Sequence, residues 1–196
     1  TSRSMLVSVV QEAVKRPVLL VTHQLHQAQQ LYEDLQEWAD DCPVHLYPVN
    51  ELIASEIAIA SPELRSQRID ALDEWLHEDS GIFIAPVAAL KRIMPPVSYW
   101  KEAQLHFDMG EEIDLDHTLS KLVKIGYERT GMVSSPGEFS MRGGILDVYP
   151  LTEEYPVRIE LFDTEVDSIR TFDVESQRSK EKLGSTVIRP ATEMLL

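Results

Sequence analysis

The sequence predicts an α/β protein in two parts, a parallel-sheet domain followed by an α+β domain built on antiparallel hairpins, and three observations carry that expectation. Over residues 1–95, helical patterns alternate with short continuous apolar runs, the order that parallel α/β layers require. Pro95-Pro96 then interrupts the pattern and marks a domain boundary. From Gly137 onward, apolar and polar residues alternate with period two, as in antiparallel strands with one face in the core.

Taken in order, residues 4–15 place Leu6, Val9, Val10, Ala13 and Val14 on one helical face, and Pro17 ends the helix. Val18 to Val21 is a short apolar run of the kind buried on both faces. Leu25, Ala28, Leu31, Tyr32, Leu35 and Trp38 recur at threes and fours and predict a second helix, and Val44 to Tyr47 a second strand. Pro62 opens a third helix with Leu64, Ile69, Leu72, Trp75 and Leu76 facing inward. Ile82 to Ala85 is the third strand, and a short helix through Leu90 ends at the prolines. Beyond them, Ala103 to Met109 reads as a strand. Asp114 or Asp116 caps a helix running to about Ile125, and Gly126 stops it. GEFSMRGGILDVYP and PVRIELFDTEVDSIRTFDV form two strand-turn-strand units. Within the second, Val166 and Ile169 are three apart, which calls for a bulge.

Composition narrows the function. With 196 residues, 43% of them hydrophobic, the chain can bury roughly 70% of its unfolded surface and needs no metal or disulfide staple. Its single cysteine, Cys42, rules out an intrachain bridge and fits a reducing, cytoplasmic setting. A net charge of −15, spread over both halves, opposes the grip on phosphates that DNA binding needs and favours protein partners. No apolar stretch is long enough to span a membrane, and no signal peptide opens the chain. Thr1 at one end and Leu195-Leu196 at the other suggest a fragment of something longer.

The residues offer no catalytic, cofactor or metal site. Gly126-Tyr-Glu-Arg-Thr-Gly131 has the glycine spacing of a phosphate loop, but Met132 and Val133 stand where that loop needs lysine and a hydroxyl residue. No His-x3-His pair and no Gly-x-Ser-x-Gly elbow occurs. Glu111-Glu112 and Glu153-Glu154 fall in loops as solvated charge. What remains is an interaction surface. In GEFSMRGG, Phe139 and Met141 point one way and Glu138, Ser140 and Arg142 the other, so Arg142 projects from a glycine-rimmed edge, joined by Arg129 in the loop after Gly126. A guanidinium there suits a carboxylate-bearing partner; the competing reading is a solvated arginine in a local ion pair.

The strings GYERTGMVSSPGEFSMRGGILDVYPL and PVRIELFDTEVDSIRTFDVESQRS, with RPVLLVTHQLHQAQQLYEDL and LYPVNELIASEIAIASPELRSQRIDAL upstream, resemble the N-terminal module of the bacterial transcription-repair coupling factors across essentially the whole chain. That module is itself similar to UvrB, the damage-recognising subunit of the excision nuclease. The resemblance implies a partial, degenerate RecA-like domain of helicase type at 1–96, an inserted UvrA-binding domain at 97–186, and a segment at 187–196 returning toward the first domain. It implies that the inserted domain docks onto UvrA, the damage-sensing ATPase. The positions matching the family's docking arginines are Arg129 in YER and Arg142 in FSMRG; Phe139, Arg158 and Glu160 match the same docking face. Ser140 stands where UvrB has a further arginine. The segment around Tyr47, LYPVNELIASEIAIASPEL, is short and poor in aromatics beside UvrB's DNA-clamping hairpin, so no DNA clamp is expected. ATP and magnesium, RNA polymerase and double-stranded DNA are expected to engage other parts of a full-length protein, within which a distant domain masks the UvrA surface. The alternative is a piece of an active ATP-dependent helicase or excision-nuclease subunit, which a phosphate loop ahead of Thr1 would signal.

Overall fold

The computed structural model describes residues 2–38, 42–49, 62–77, 80–91 and 96–193, and the chain divides into two compact units, Thr1–Ile93 and Met94–Leu196. The first contains α1 (Ser2–Val14), β1 (Pro17–Thr22), α2 (Leu25–Trp38), β2 (Val44–Leu46), α3 (Pro62–His77) and β3 (Gly81–Pro86), then a 3₁₀ turn over Val87–Lys91. Its three strands form a parallel sheet in the order β1-β3-β2. Central β3 is buried at all six positions, and Ile82 and Ile84 pack with Leu46 and with Ala28 and Leu35 of α2. Each of the isoleucine and leucine side chains contributes about 1.5–3 kcal/mol by leaving water.

Two expectations for this unit are corrected. β1 is not buried on both faces: among the described residues it pairs with β3 alone, and its edge position leaves Leu19 and Val21 exposed. The apolar face of α1 also points outward, with Leu6, Val9, Val10 and Val14 exposed. The helix turns Ser4, Val7 and Gln11 inward instead, and Ser4 donates a 3.1 Å hydrogen bond to Asp34 of α2. A small residue allows that close approach, and the hydrogen bond satisfies its buried hydroxyl. In α3, Ile69 is buried as expected, but Trp75 is partly exposed and the largest buried side chain is Arg68. Its guanidinium lies 3.9 Å from the Tyr47 ring centroid and donates to the Pro48 carbonyl and the Tyr47 hydroxyl. Residues 50–61, which carry most of the segment weighed against a DNA clamp, lie outside the described residues, as does Pro95.

The second unit contains α4 (Val97–Glu102), β4 (Leu105–Asp108), α5 (Leu115–Lys124), β5 (Glu128–Arg129), β6 (Glu138–Arg142), β7 (Ile145–Val148), β8 (Val157–Phe162), β9 (Glu165–Phe172), β10 (Ser179–Leu183) and β11 (Ser185–Ile188). Six strands form a sheet in the order β10-β9-β8-β7-β6-β5, antiparallel except for the β5–β6 pair, and β11 pairs antiparallel with β4. Asp114 caps α5, accepting the His117 N–H at 3.0 Å, and Gly126 closes the helix at φ 99°. One face of the sheet supplies core: Phe139, Leu146, Val148, Val157, Ile159 and Ile169 are all buried. The expected bulge is present, since Glu160 pairs with Ser168 but Leu161 with Val166, leaving Asp167 as the extra residue on β9. Residues 187–193 make contacts within this unit. β11 is zipped to β4, the Ala191 N–H donates to Ile125 O at 2.8 Å, and the buried Tyr127 hydroxyl donates to Arg189 O at 2.8 Å.

Candidate protein-docking face

The face of the six-stranded sheet opposite its core is charged, and the strand register orders those charges into files. Ser140, Asp147, Arg158, Arg170 and Lys182 form one file across β6 to β10; Arg142, Ile145, Glu160 and Ser168 form the next. Because side chains alternate along a strand, both files lie on the same side of the sheet.

Asp147 is the pivot. Its carboxylate is 2% exposed and receives Arg158 in a two-pronged contact, Nε to Oδ1 at 2.7 Å and Nη2 to Oδ2 at 2.9 Å. Arg158 also donates to Gln177 Oε1 at 2.9 Å and lies 4.2 Å over the Phe172 ring, so that only 12% of its side chain remains exposed. A second pair sits beside it: Arg170 reaches Glu160 at 2.5 Å, and Ser168 donates to the same carboxylate at 2.8 Å. Those bonds, the Arg170 bond foremost, push the Glu160 carboxyl down to about 2 and raise Arg170 further.

Arg142 occupies a different position. Its Nη2 is 3.5 Å from Asp147 Oδ2, a loose contact with a carboxylate already committed to Arg158, and half of its side chain (50%) faces solvent. The two-residue turn Gly143-Gly144, with Gly143 at φ 59°, lets β6 reverse into β7 immediately after it. A side chain could not replace the second glycine freely, because a Cβ there would lie 2.7 Å from the Leu161 carbonyl. Arg129 is exposed on the edge strand β5, in register with Phe139. The pairing puts it on the opposite pleat from Arg142, so the two arginines flank the β5–β6 edge rather than sharing one face.

The remaining site residues are either buried or paired within the sheet. Phe139 is fully buried and belongs to the core. Arg158 and Glu160 face outward from the sheet as expected, yet both spend their charge on partners within it. Ser140 is buried too, because the 131–135 loop folds back over β6. The Glu138 carboxylate accepts the Ser134 and Ser135 N–H groups at 2.7 and 2.9 Å, Ser140 donates to Gly131 O at 3.3 Å, and Val133 is fully buried. Reading residues alone missed Asp147, whose place was written in the file of alternating positions through Arg158 but needed the β7–β8 register to appear. Among the described residues, no group of three metal-ligating side chains converges and no helix is long and apolar enough to cross a membrane.

Residues 105–194, which carry this face, match the family model described as the UvrB interaction domain. Over its whole length the chain is homologous to the transcription-repair-coupling factors. It is 53% identical over 196 residues to that of Bacillus subtilis (strain 168), covering 100% of this chain and 17% of the relative. It is 44% identical over 182 residues to that of Staphylococcus haemolyticus, covering 93% and 16%, and 45% identical over 179 residues to that of Staphylococcus aureus (strain MRSA252), covering 91% and 15%. The chain thus spans about a sixth of the length of these relatives, 17% at most.

Proposed function

We propose that this chain is a non-catalytic docking module that binds UvrA and thereby links a transcription-repair-coupling factor to nucleotide excision repair. The observation that carries the reading is Arg142, a half-exposed guanidinium at the rim of a sheet face on which Arg158 and Arg170 are paired with Asp147 and Glu160, inside the segment of the UvrB interaction domain. Arg129 extends the surface around the β5 edge. Arginine suits the task because its planar fork meets a carboxylate with two bonds while its stem packs. Phe139 supports the surface from beneath, and Arg158 and Glu160 stiffen it. In this reading the first unit is a degenerate RecA-like scaffold, the module works in the cytoplasm without ATP or magnesium, and RNA polymerase and double-stranded DNA engage other parts of a longer protein, where a distant domain masks the docking face.

Calorimetric titration of purified UvrA tests the reading. Saturable binding by the wild-type chain, weakened by at least about 2 kcal/mol in Arg142→Ala and by less in Arg129→Ala, is the expected result. Equal affinity of both variants and wild type would remove these arginines from the site.

A further inference from the structure

One large apolar side chain on the charged face is used by neither the core nor the ion-pair network. Phe162, the last residue of β8, is 78% exposed, more than any other large hydrophobic residue among those described; Leu6 follows at 63%. Isolated exposed apolar residues are ordinary, but this one has a defined position. Arg142 pairs with Ile145 and Ile145 with Glu160, and Phe162 lies two residues beyond Glu160, so its ring projects from the same side of the sheet as the Arg142 guanidinium. The bulge falls on β9, so the alternation along β8 is undisturbed.

The tip that carries the ring is held firmly. Phe162 pairs with Glu165 across the two-residue turn Asp163-Thr164, with Asp163 in the left-handed region at φ 57°. The Leu161 N–H donates to Gly144 O at 2.7 Å, which ties the β8–β9 tip to the Gly143-Gly144 turn following Arg142. A guanidinium and a phenyl ring thus project from one side of the sheet, two strands apart, on hairpins joined by that hydrogen bond, so the backbone that carries them has little freedom left to lose on association.

We infer that Phe162 is a contact residue of the docking face, entering an apolar pocket on UvrA beside the carboxylate that receives Arg142. This inference rests on the UvrA reading above. Arginine and aromatic side chains are enriched among interface residues, and these hairpins present one of each on the same side of the sheet.

The test is a titration of UvrA with the 196-residue chain and its Phe162→Ala, Arg142→Ala and Val123→Ser variants, with thermal midpoints measured for each. Val123 is another exposed apolar residue, on α5. Phe162→Ala is expected to raise Kd at least about tenfold at an unchanged thermal midpoint, with Phe162→Leu restoring part of the affinity and Val123→Ser binding like wild type. Wild-type affinity in Phe162→Ala alongside weak binding by Arg142→Ala would overturn the inference and leave the UvrA reading standing. A lowered midpoint in Phe162→Ala, or an equal loss in Val123→Ser, would also overturn it, by making the ring a packing residue or the effect non-specific. No binding by folded wild type would overturn both.

Discussion

Asp147 decides what the charged face can do, because one buried carboxylate serves two arginines unequally. Arg158 takes its two oxygens at hydrogen-bond distance while Arg142 stands at 3.5 Å. Removing that carboxylate strands a largely buried guanidinium, so Asp147→Ala should lower unfolding free energy by about 3 kcal/mol, read as a lower urea midpoint; an unchanged midpoint would show that Phe162's face does not depend on this pair. Glu160 makes a prediction about pH. Its carboxyl is depressed in the folded state to about 2 from an ordinary 4.5, chiefly by the bond from Arg170. The stability it contributes is therefore present above the unfolded-state value and is lost as pH falls from about 4.5 toward 2. Glu160→Gln should flatten the loss of stability across that window without steepening it above pH 5, as followed by thermal midpoints in a pH series. Of this arrangement, Arg142 was visible in the sequence because a glycine pair follows it. Asp147 was not, because a single acidic residue in ILDV gives no hint that Arg158 faces it on β8 and Arg142 lies diagonally from it on β6.

Among the elements, those defined by local chemistry were legible. Asp114 caps α5 and Gly126 ends it because an oxygen acceptor and a left-handed residue are required at those points, and both requirements are written in one or two residues. Gly126 carries a second constraint: a Cβ there would lie 2.7 Å from the Thr192 side chain. Gly126→Ala should therefore cost about 2 kcal/mol, combining left-handed strain with that clash; chemical denaturation measures it, and a loss below the roughly 0.5 kcal/mol of a neutral surface change would contradict the account. Elements defined by distant pairing were not legible. β10 is Ser-Lys-Glu-Lys-Leu on a sheet edge, exposed on both sides, so no alternation marks it. β5 has two residues and exists only through its register with β6. The apolar stripe of α1 misled for the converse reason: period reveals a face but not which face a neighbour covers, and here α2 meets the side bearing Ser4 and Gln11.

At the scale of the whole molecule, a net charge of −15 surrounds a small set of presented arginines. Such a surface repels phosphate backbones, so the chain should leave the gel mobility of a short DNA duplex unchanged at micromolar concentration and moderate salt; a stable shifted band would contradict a docking role confined to protein. The two units make separable demands, since each contains its own sheet and buried residues. The central claim is that UvrA is met by the charged face of the second unit. Hydrogen–deuterium exchange of the 196-residue chain with and without UvrA tests it most directly. Added protection at β5, the Gly143-Gly144 turn and the 162–164 tip, with exchange in residues 2–91 unchanged, is the predicted result; protection confined to residues 2–91, or none at those turns in a saturated complex, would contradict it.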